Sequence, residues 1–460
     1  MIAADERLGA LDLLPAISRL WEISGEKIAA LERAWDPAAG SPVFTIAGRY
    51  TTRGWTEWTQ GFQFGSALLQ FDATGDRSFL ELGRSRTLER MAPHLTHMGV
   101  HDHGFNTVST YGALWRLLGE GRFEGEGKEG ELYELAIRVS GAVQARRWTP
   151  TADGLGYIHS FNGAHSLFAD TMRTLRVLAL SHRLGHLLLE ERDRRVSLLE
   201  RLLHHARTTA TRAVYYGTGR DTYDVRGRVA HESLFNVADG QYRCPGTQQG
   251  YSPFTTWTRG LAWVLLGFAE QIEFLETLAA GDLAPFGGRE EVRGWILPAA
   301  QATADFFLAT TPPDGVPYWD TGAPGLTKLD VTEPADPCND HEPVDSPAVA
   351  IAAQGLLRLG RVLASAGREA DARRYVQAGL TVTRTLLGPP YLSADPGHQG
   401  LLLHSVYHRP NGWDHVPPGR KVPCGESSQW GDYHLRELAL YAQRLATGGP
   451  YYCFFGVQKR

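Results

Sequence analysis

Six times along the chain a cluster of polar and aromatic residues is followed by a small residue and then by a helical apolar run unusually poor in charge. The runs are 55–73, 101–118, 169–184, 256–274, 345–364 and 429–446. Such a repeat constrains the fold more than any single motif, because each copy must find the same kind of neighbour. The fourth run, TWTRGLAWVLLGFAEQIEF, is apolar nearly all round, as expected of a helix packed on both sides. Between the runs lie segments with one charged and one apolar face, at 10–35, 77–91, 129–147, 190–215, 289–308 and 368–387. Six inner helices alternating with six outer ones predict an all-α fold, an (α/α)6 barrel in which residues 1–460 form a single domain. A closed ring of twelve helices accounts for the length without a second core.

The formal net charge of −5 gives no basic surplus to attract phosphate backbones or anionic lipid, which argues against nucleic acid and membrane surfaces as partners. Asp5, Glu6 and Arg7 stand where an export signal needs a basic patch and an apolar run. Apolar stretches such as 261–268 fall short of the roughly 20 residues that span a bilayer, so no membrane insertion is expected. Cys244, Cys338, Cys424 and Cys453 form no CxxC pair and no zinc-like spacing, which reads as free thiols in a reducing cytoplasm. A cytoplasmic monomer or homodimer is expected.

In such a ring all inner helices run the same way, so the six polar clusters gather at one mouth. HDHGF sets Asp102 between His101 and His103 at the start of the second inner helix, and FADTM sets Asp170 at the start of the third. Paired carboxylates suit sugar chemistry, one supplying a proton and the other stabilising charge or orienting water. Asp is also a good N-cap, and for any one of these residues capping is an equal claim. Trp55, Trp58, Trp257, Trp263, Trp430 and Tyr433 cluster at the same ends, where flat rings suit the apolar faces of pyranoses. Trp58 and Trp257 read as ligand contacts, whereas Trp263, one turn inside its helix, reads equally well as interior filling. Arg259 sits on a charge-poor inner helix and needs a carboxylate partner, either from the protein or from a substrate uronate. DPCNDHE at 336–342 is metal-like in composition only and reads as a solvated loop.

Taken together and in order, WTQGF at Trp58, HDHGF at Asp102, Asp170, TQQGYSPFTTWTRGLAW at 247–263, DGVPYWD at Asp314, DSPAVAIAAQGLL at Asp345 and WGDYHLRE at Trp430 are specific. They resemble the unsaturated glucuronyl hydrolases of glycoside hydrolase family 88 and the related rhamnogalacturonyl hydrolases of family 105. The resemblance implies an (α/α)6 barrel that removes a 4,5-unsaturated uronic acid from lyase-generated oligosaccharides, with no metal or organic cofactor. It makes Asp170 the general acid and base, Asp102 the second carboxylate, and His101 a substrate contact. It also places Trp58, His231, Gln249, Trp257, Arg259 and Trp263 around the sugar. Gln60, Gln63 and Gln248 depart from the expected motifs, and longer loops at 217–242, 330–344 and 404–428 are expected to overhang the mouth. Both sets of differences are expected to bear on substrate choice.

The aspartates alone suit an ordinary inverting glycosidase acting on a saturated glucuronide equally well. His101, His103 and His231 keep a sugar epimerase open, and a non-catalytic glycan-binding ring is the weakest alternative.

Overall fold

The computed structural model describes residues 1–54 and 58–456. Trp55, assigned above to the first aromatic cluster, lies outside them. Twelve helices carry the architecture. The outer ones are α1 (Leu14–Ala34), α3 (Arg77–Arg90), α5 (Glu129–Arg146), α7 (Leu198–Arg212), α9 (Gly288–Thr310) and α11 (Glu369–Leu386). The inner ones are α2 (Gln60–Thr74), α4 (103–119, interrupted by a π turn at Val108–Gly112), α6 (171–183, broken at Leu175), α8 (Thr258–Glu276), α10 (Ser346–Ser365) and α12 (Gln429–Thr447). Inner helices contact one another in the order α2, α4, α6, α8, α10, α12 and back to α2, which closes the ring. The (α/α)6 barrel expected from the sixfold repeat is the fold observed.

Glycines within the inner runs have a steric reason. A Cβ on Gly104 would lie 1.9 Å from the Thr174 carbonyl oxygen, and one on Gly355 would lie 3.0 Å from the Leu266 backbone nitrogen. Backbones of neighbouring inner helices therefore touch at these points, which only glycine permits. Helix α10 is long and apolar enough to cross a membrane by composition, contrary to the reading of short apolar stretches. It is instead packed within the barrel, with 83% of its apolar window buried.

The inner helices are poor in charge by sequence, yet they carry buried ions. On α6, Arg173 donates to Glu270 of α8 at 2.7 Å and to Glu437 of α12 at 2.9 Å. Arg176 stands 3.8 Å from Glu270 and 3.6 Å from Glu437. Single charges on separate repeats escape a composition count, but the ring brings them together as two cations and two anions. Burial would raise the Glu437 carboxyl, but Arg173 and Arg176 outweigh it and bring it down to about 2.

Glu437→Gln is expected to lower stability by about 3–5 kcal/mol, because it leaves a buried arginine uncompensated. The folded carboxyl lies below its ordinary value of 4.5, so its contribution is present above that pH and is lost as pH falls toward 2. Denaturant midpoints across pH for parent and variant check this. A variant as stable as the parent at pH 7 would contradict it.

Candidate active site

A three-stranded antiparallel sheet, Ser166–Phe168 with Glu232–Phe235 and Tyr242–Gly246, lies at the mouth. These strands are too short to show an alternating pattern, and the sequence reading missed them. Phe168 pairs with Glu232, and the ladder continues as Ala169 N donates to His231 O at 2.8 Å. Asp170 and His231 are therefore set side by side where the sheet meets α6.

Asp102 and Asp170 both occupy N-cap positions, yet neither side chain accepts a capping hydrogen bond. Ser428, at the head of α12, does cap its helix. The capping account thus fails for the two aspartates, whose carboxylates turn instead to histidine. His101 Nε2 lies 3.2 Å from Asp170 Oδ2 and 3.7 Å from Asp102 Oδ1. His231 Nδ1 accepts from the backbone N–H groups of Gln248 and Gln249 at 3.0 and 3.3 Å. An accepting Nδ1 leaves the ring proton on Nε2, which faces Asp170 Oδ1 at 3.7 Å.

This arrangement separates the two carboxylates in proton affinity. Burial would raise Asp170, but the hydrogen bond from His101 and the nearby imidazole of His231 outweigh it and hold the group far below the usual carboxylate range. Asp102 is raised, first by burial, with the pull of His101 opposing and the charge of Asp170 adding to it. Burial would lower His101, yet Asp102 and the hydrogen bond to Asp170 raise it. Ligand atoms of these three residues lie within 4.8 Å of one another, the one grouping among the described residues able to hold a metal ion.

The three residues open into a cavity of about 400 Å³ that Trp58, Gln249, Trp257, Arg259 and Trp263 also line. Eight of the nine expected site residues thus meet in one pocket, and the ninth, His231, stands behind Asp170. Phe105, Phe161 and Phe168 complete the wall and were not expected, since no polar motif marks them. Phe161 stacks over His101 at 6.1 Å between ring centres and is half exposed at the opening. Arg147, last in its outer segment, donates to the carbonyls of Met98, His159 and Ser160. It thereby ties the approach to His101 to the loop that carries Phe161.

Arg259 finds its carboxylate in the protein: Nη1 donates to Asp345 Oδ2 at 2.5 Å and to Val406 O at 2.8 Å, and Nη2 donates to Tyr407 O at 3.1 Å. Its guanidinium lies over the rings of Trp257 and Trp430. Trp430 and Tyr433 are fully buried and belong to the core. His103 bonds Ser140 Oγ and the His97 carbonyl, and burial lowers it to about 4, so it is a core histidine and not a mouth base. Gln60 bonds His94, and Gln63 lies beside Lys27 and Asp432 in a separate cavity. Neither lines the site, so these two departures do not alter it as expected. The 336–342 loop is not simply solvated, because buried Glu342 accepts from Trp319 Nε1 at 2.8 Å and from Gly325 N at 2.8 Å.

No family model matches the chain. Among curated proteins it is similar to the unsaturated glucuronyl hydrolase of Bacillus sp. strain GL1, with 27% identity over 410 residues, covering 87% of this chain and 90% of that protein. It is also similar to the unsaturated chondroitin disaccharide hydrolase of Streptococcus pyogenes serotype M1, with 24% identity over 408 residues, covering 86% and 84%. The crystal structure of the Bacillus sp. GL1 enzyme superposes with a TM-score of 0.70 at 23% identity, covering 97% of this chain and 99% of that one. The unsaturated glucuronyl hydrolase structure from Streptococcus agalactiae gives 0.69 at 19% identity, covering 97% and 94%. The resemblance drawn from the motifs holds over nearly the whole chain.

Asp170→Asn is expected to lower the pH at which His101 titrates, because a neutral amide no longer favours the imidazolium. His101 gains proton affinity on folding, so the stability it contributes is present below its ordinary value of 6.5 and is lost as pH rises through the folded value. NMR of the His101 ring across pH measures the midpoint, and an unchanged midpoint would contradict the coupling.

Proposed function

We propose that the protein hydrolyses oligosaccharides bearing a 4,5-unsaturated uronic acid at the non-reducing end, releasing that acid by hydrating its vinyl ether. The observation that carries this reading is the placement of Asp170. Its Oδ2 is held by His101, while Oδ1 makes no hydrogen bond to a described residue and stands near His231 in a wall rich in aromatic rings. The relatives' names, and a neighbouring structure carrying dGlcA-Glc-Rha-Glc, support the substrate class.

An enol ether is protonated at carbon to give an oxocarbenium ion, so one acid aimed at the ring begins the reaction. In this mechanism Asp170 delivers a proton to C4 of the C4–C5 double bond. Asp170 is ionised in the free protein, and the proton reaches it from His101, with Asp102 beyond. Entry of the uronate places another anion near Asp170 and displaces water from the cavity, both of which raise its proton affinity. Once Asp170 has given up the proton, it takes one from water attacking C5. The resulting hemiketal opens and frees the partner sugar. Gln249, whose side-chain oxygen accepts from Arg259 Nη2 at 3.4 Å, is suited to the uronate end. Arg259 contributes less to the uronate than its position suggests, because Asp345 offsets its charge.

The alternatives fit the geometry less well. An inverting pair needs carboxyl groups about 6.5–9.5 Å apart with water between them. Asp102 and Asp170 instead share one imidazole, with oxygens within 4.8 Å of each other. An epimerase needs an acid and a base on opposite sides of a carbon, whereas His101 and His231 converge on the same carboxylate. The proton chain needs no metal.

Incubation with lyase-generated unsaturated disaccharides is expected to abolish the ultraviolet absorbance of the conjugated double bond, with or without a chelator. Asp170→Asn should lower kcat by about 10²–10⁴-fold. Loss of a sugar without loss of that absorbance, or an Asp170→Asn protein of parental activity, would overturn the proposal.

A further inference from the structure

Outer helices end and inner helices begin at the mouth, so the long connection 213–257 between α7 and α8 lies on the mouth face. Two of its loops meet there. The first is held in shape by Asp224, whose carboxylate accepts from the backbone N–H groups of Gly217, Thr218 and Arg220 at 2.8–2.9 Å. The second runs from Gln249 to Trp257, both of which line the cavity, and is fixed where Tyr251 N donates to Asp320 Oδ2 at 2.9 Å. The loops are joined by Val229 N donating to Thr256 Oγ1 at 3.2 Å and by Arg228 Nη1 donating to Pro253 O at 3.1 Å.

At the outer edge of this seam the rings of Tyr223 and Phe254 stack, with centres 4.4 Å apart and planes 22° apart. They are 47% and 43% exposed, and Tyr251, three residues before Phe254 in the same loop, is 51% exposed. Single exposed apolar residues need no explanation. A stacked pair on a braced seam, with an exposed tyrosine in the same loop, is a flat apolar patch of the kind that marks a ligand surface. Phe254 precedes Trp257 by three residues, so its backbone lies within about 11 Å of the cavity wall. Large rigid rings also offer contact area at low cost in conformational freedom.

We propose that Tyr223 and Phe254 form a distal sugar platform, which takes the sugars beyond the first leaving-group residue of an oligosaccharide whose terminal uronic acid occupies the cavity. The proposal rests on the hydrolase reading for its ligand. Continuity is its argument: one short loop carries cavity walls at both ends and the exposed ring at its tip. A disaccharide ends at the first leaving-group residue, whereas a tetrasaccharide carries two sugars beyond it.

Tyr223→Ala and Phe254→Ala are expected to raise KM for an unsaturated tetrasaccharide about three- to tenfold, with kcat held. Disaccharide kinetics should not change, and Phe254→Trp should restore the parental KM. Calorimetric binding of both sugars to the Asp170→Asn protein, alone and with Phe254→Ala, reads the same length preference without turnover. Tighter tetrasaccharide binding that Phe254→Ala removes supports the platform even if the sugar is not hydrolysed, a result that would count against the hydrolase reading alone. Equal effects on both lengths, or none, overturn the platform whatever the catalytic result.

Discussion

The buried quartet of Arg173, Arg176, Glu270 and Glu437 is the constraint on which the site above it depends. Arg173 lies three residues beyond Asp170 on the same short helix, and its two donors reach α8 and α12. α6 is broken at Leu175 and its first segment is only Thr171–Thr174. Such a short turn has little helical stability of its own and takes its position from tertiary contacts. The arginine supplies them on the barrel side, and the strand pairing through Ala169 supplies them on the mouth side. Asp170 is held between these anchors. Ion pairs this deeply buried are weak evidence of net stability, but they resist rearrangement because any partner left alone is costly. Here that resistance fixes the direction of a carboxylate.

Two identical functional groups differ in proton affinity because their surroundings differ. Both aspartates begin inner helices, and a helix N-terminus alone would favour the ionised form of each. Asp170 receives His101 on one oxygen and faces His231 with the other, whereas Asp102 meets His101 only at 3.7 Å and feels the charge of Asp170. The imidazole between them is the link along which a proton can move. Arg147 keeps the loop before His101 close to the loop of Phe161, so the imidazole has a ring over it and carboxylates beside it.

The ring was legible in the sequence because the period of the repeat is a global property that local irregularity does not erase. The π turn in α4 and the break in α6 left it readable. The mouth was legible for the same reason, since parallel inner helices must bring their first turns together. Pairings between repeats were not legible. Arg259 and Asp345 lie 86 positions apart, and nothing in either motif says that one satisfies the other. Short strands escaped because three residues cannot display an alternation. Gln60 and Gln63 stand in the first mouth motif, but on a helix one residue turns the side chain by about 100°. Gln60 therefore reaches His94, and Gln63 enters a different cavity.

The same reasoning separates what can vary from what cannot. Asp102, Asp170, Trp257 and Arg259 stand at or just inside inner helices whose backbones touch, so a shift in one moves its neighbours. Tyr223, Tyr251 and Phe254 stand on loops braced to one another by a few hydrogen bonds, and exposed faces of such loops tolerate change. Chemistry is thus tied to the ring, and choice among longer substrates to its rim. Gln248 lies at the boundary: its backbone N–H helps to orient His231, while its side chain takes no part in that contact. A backbone contact at that point lets the rim vary in sequence while the tautomer facing Asp170 stays fixed.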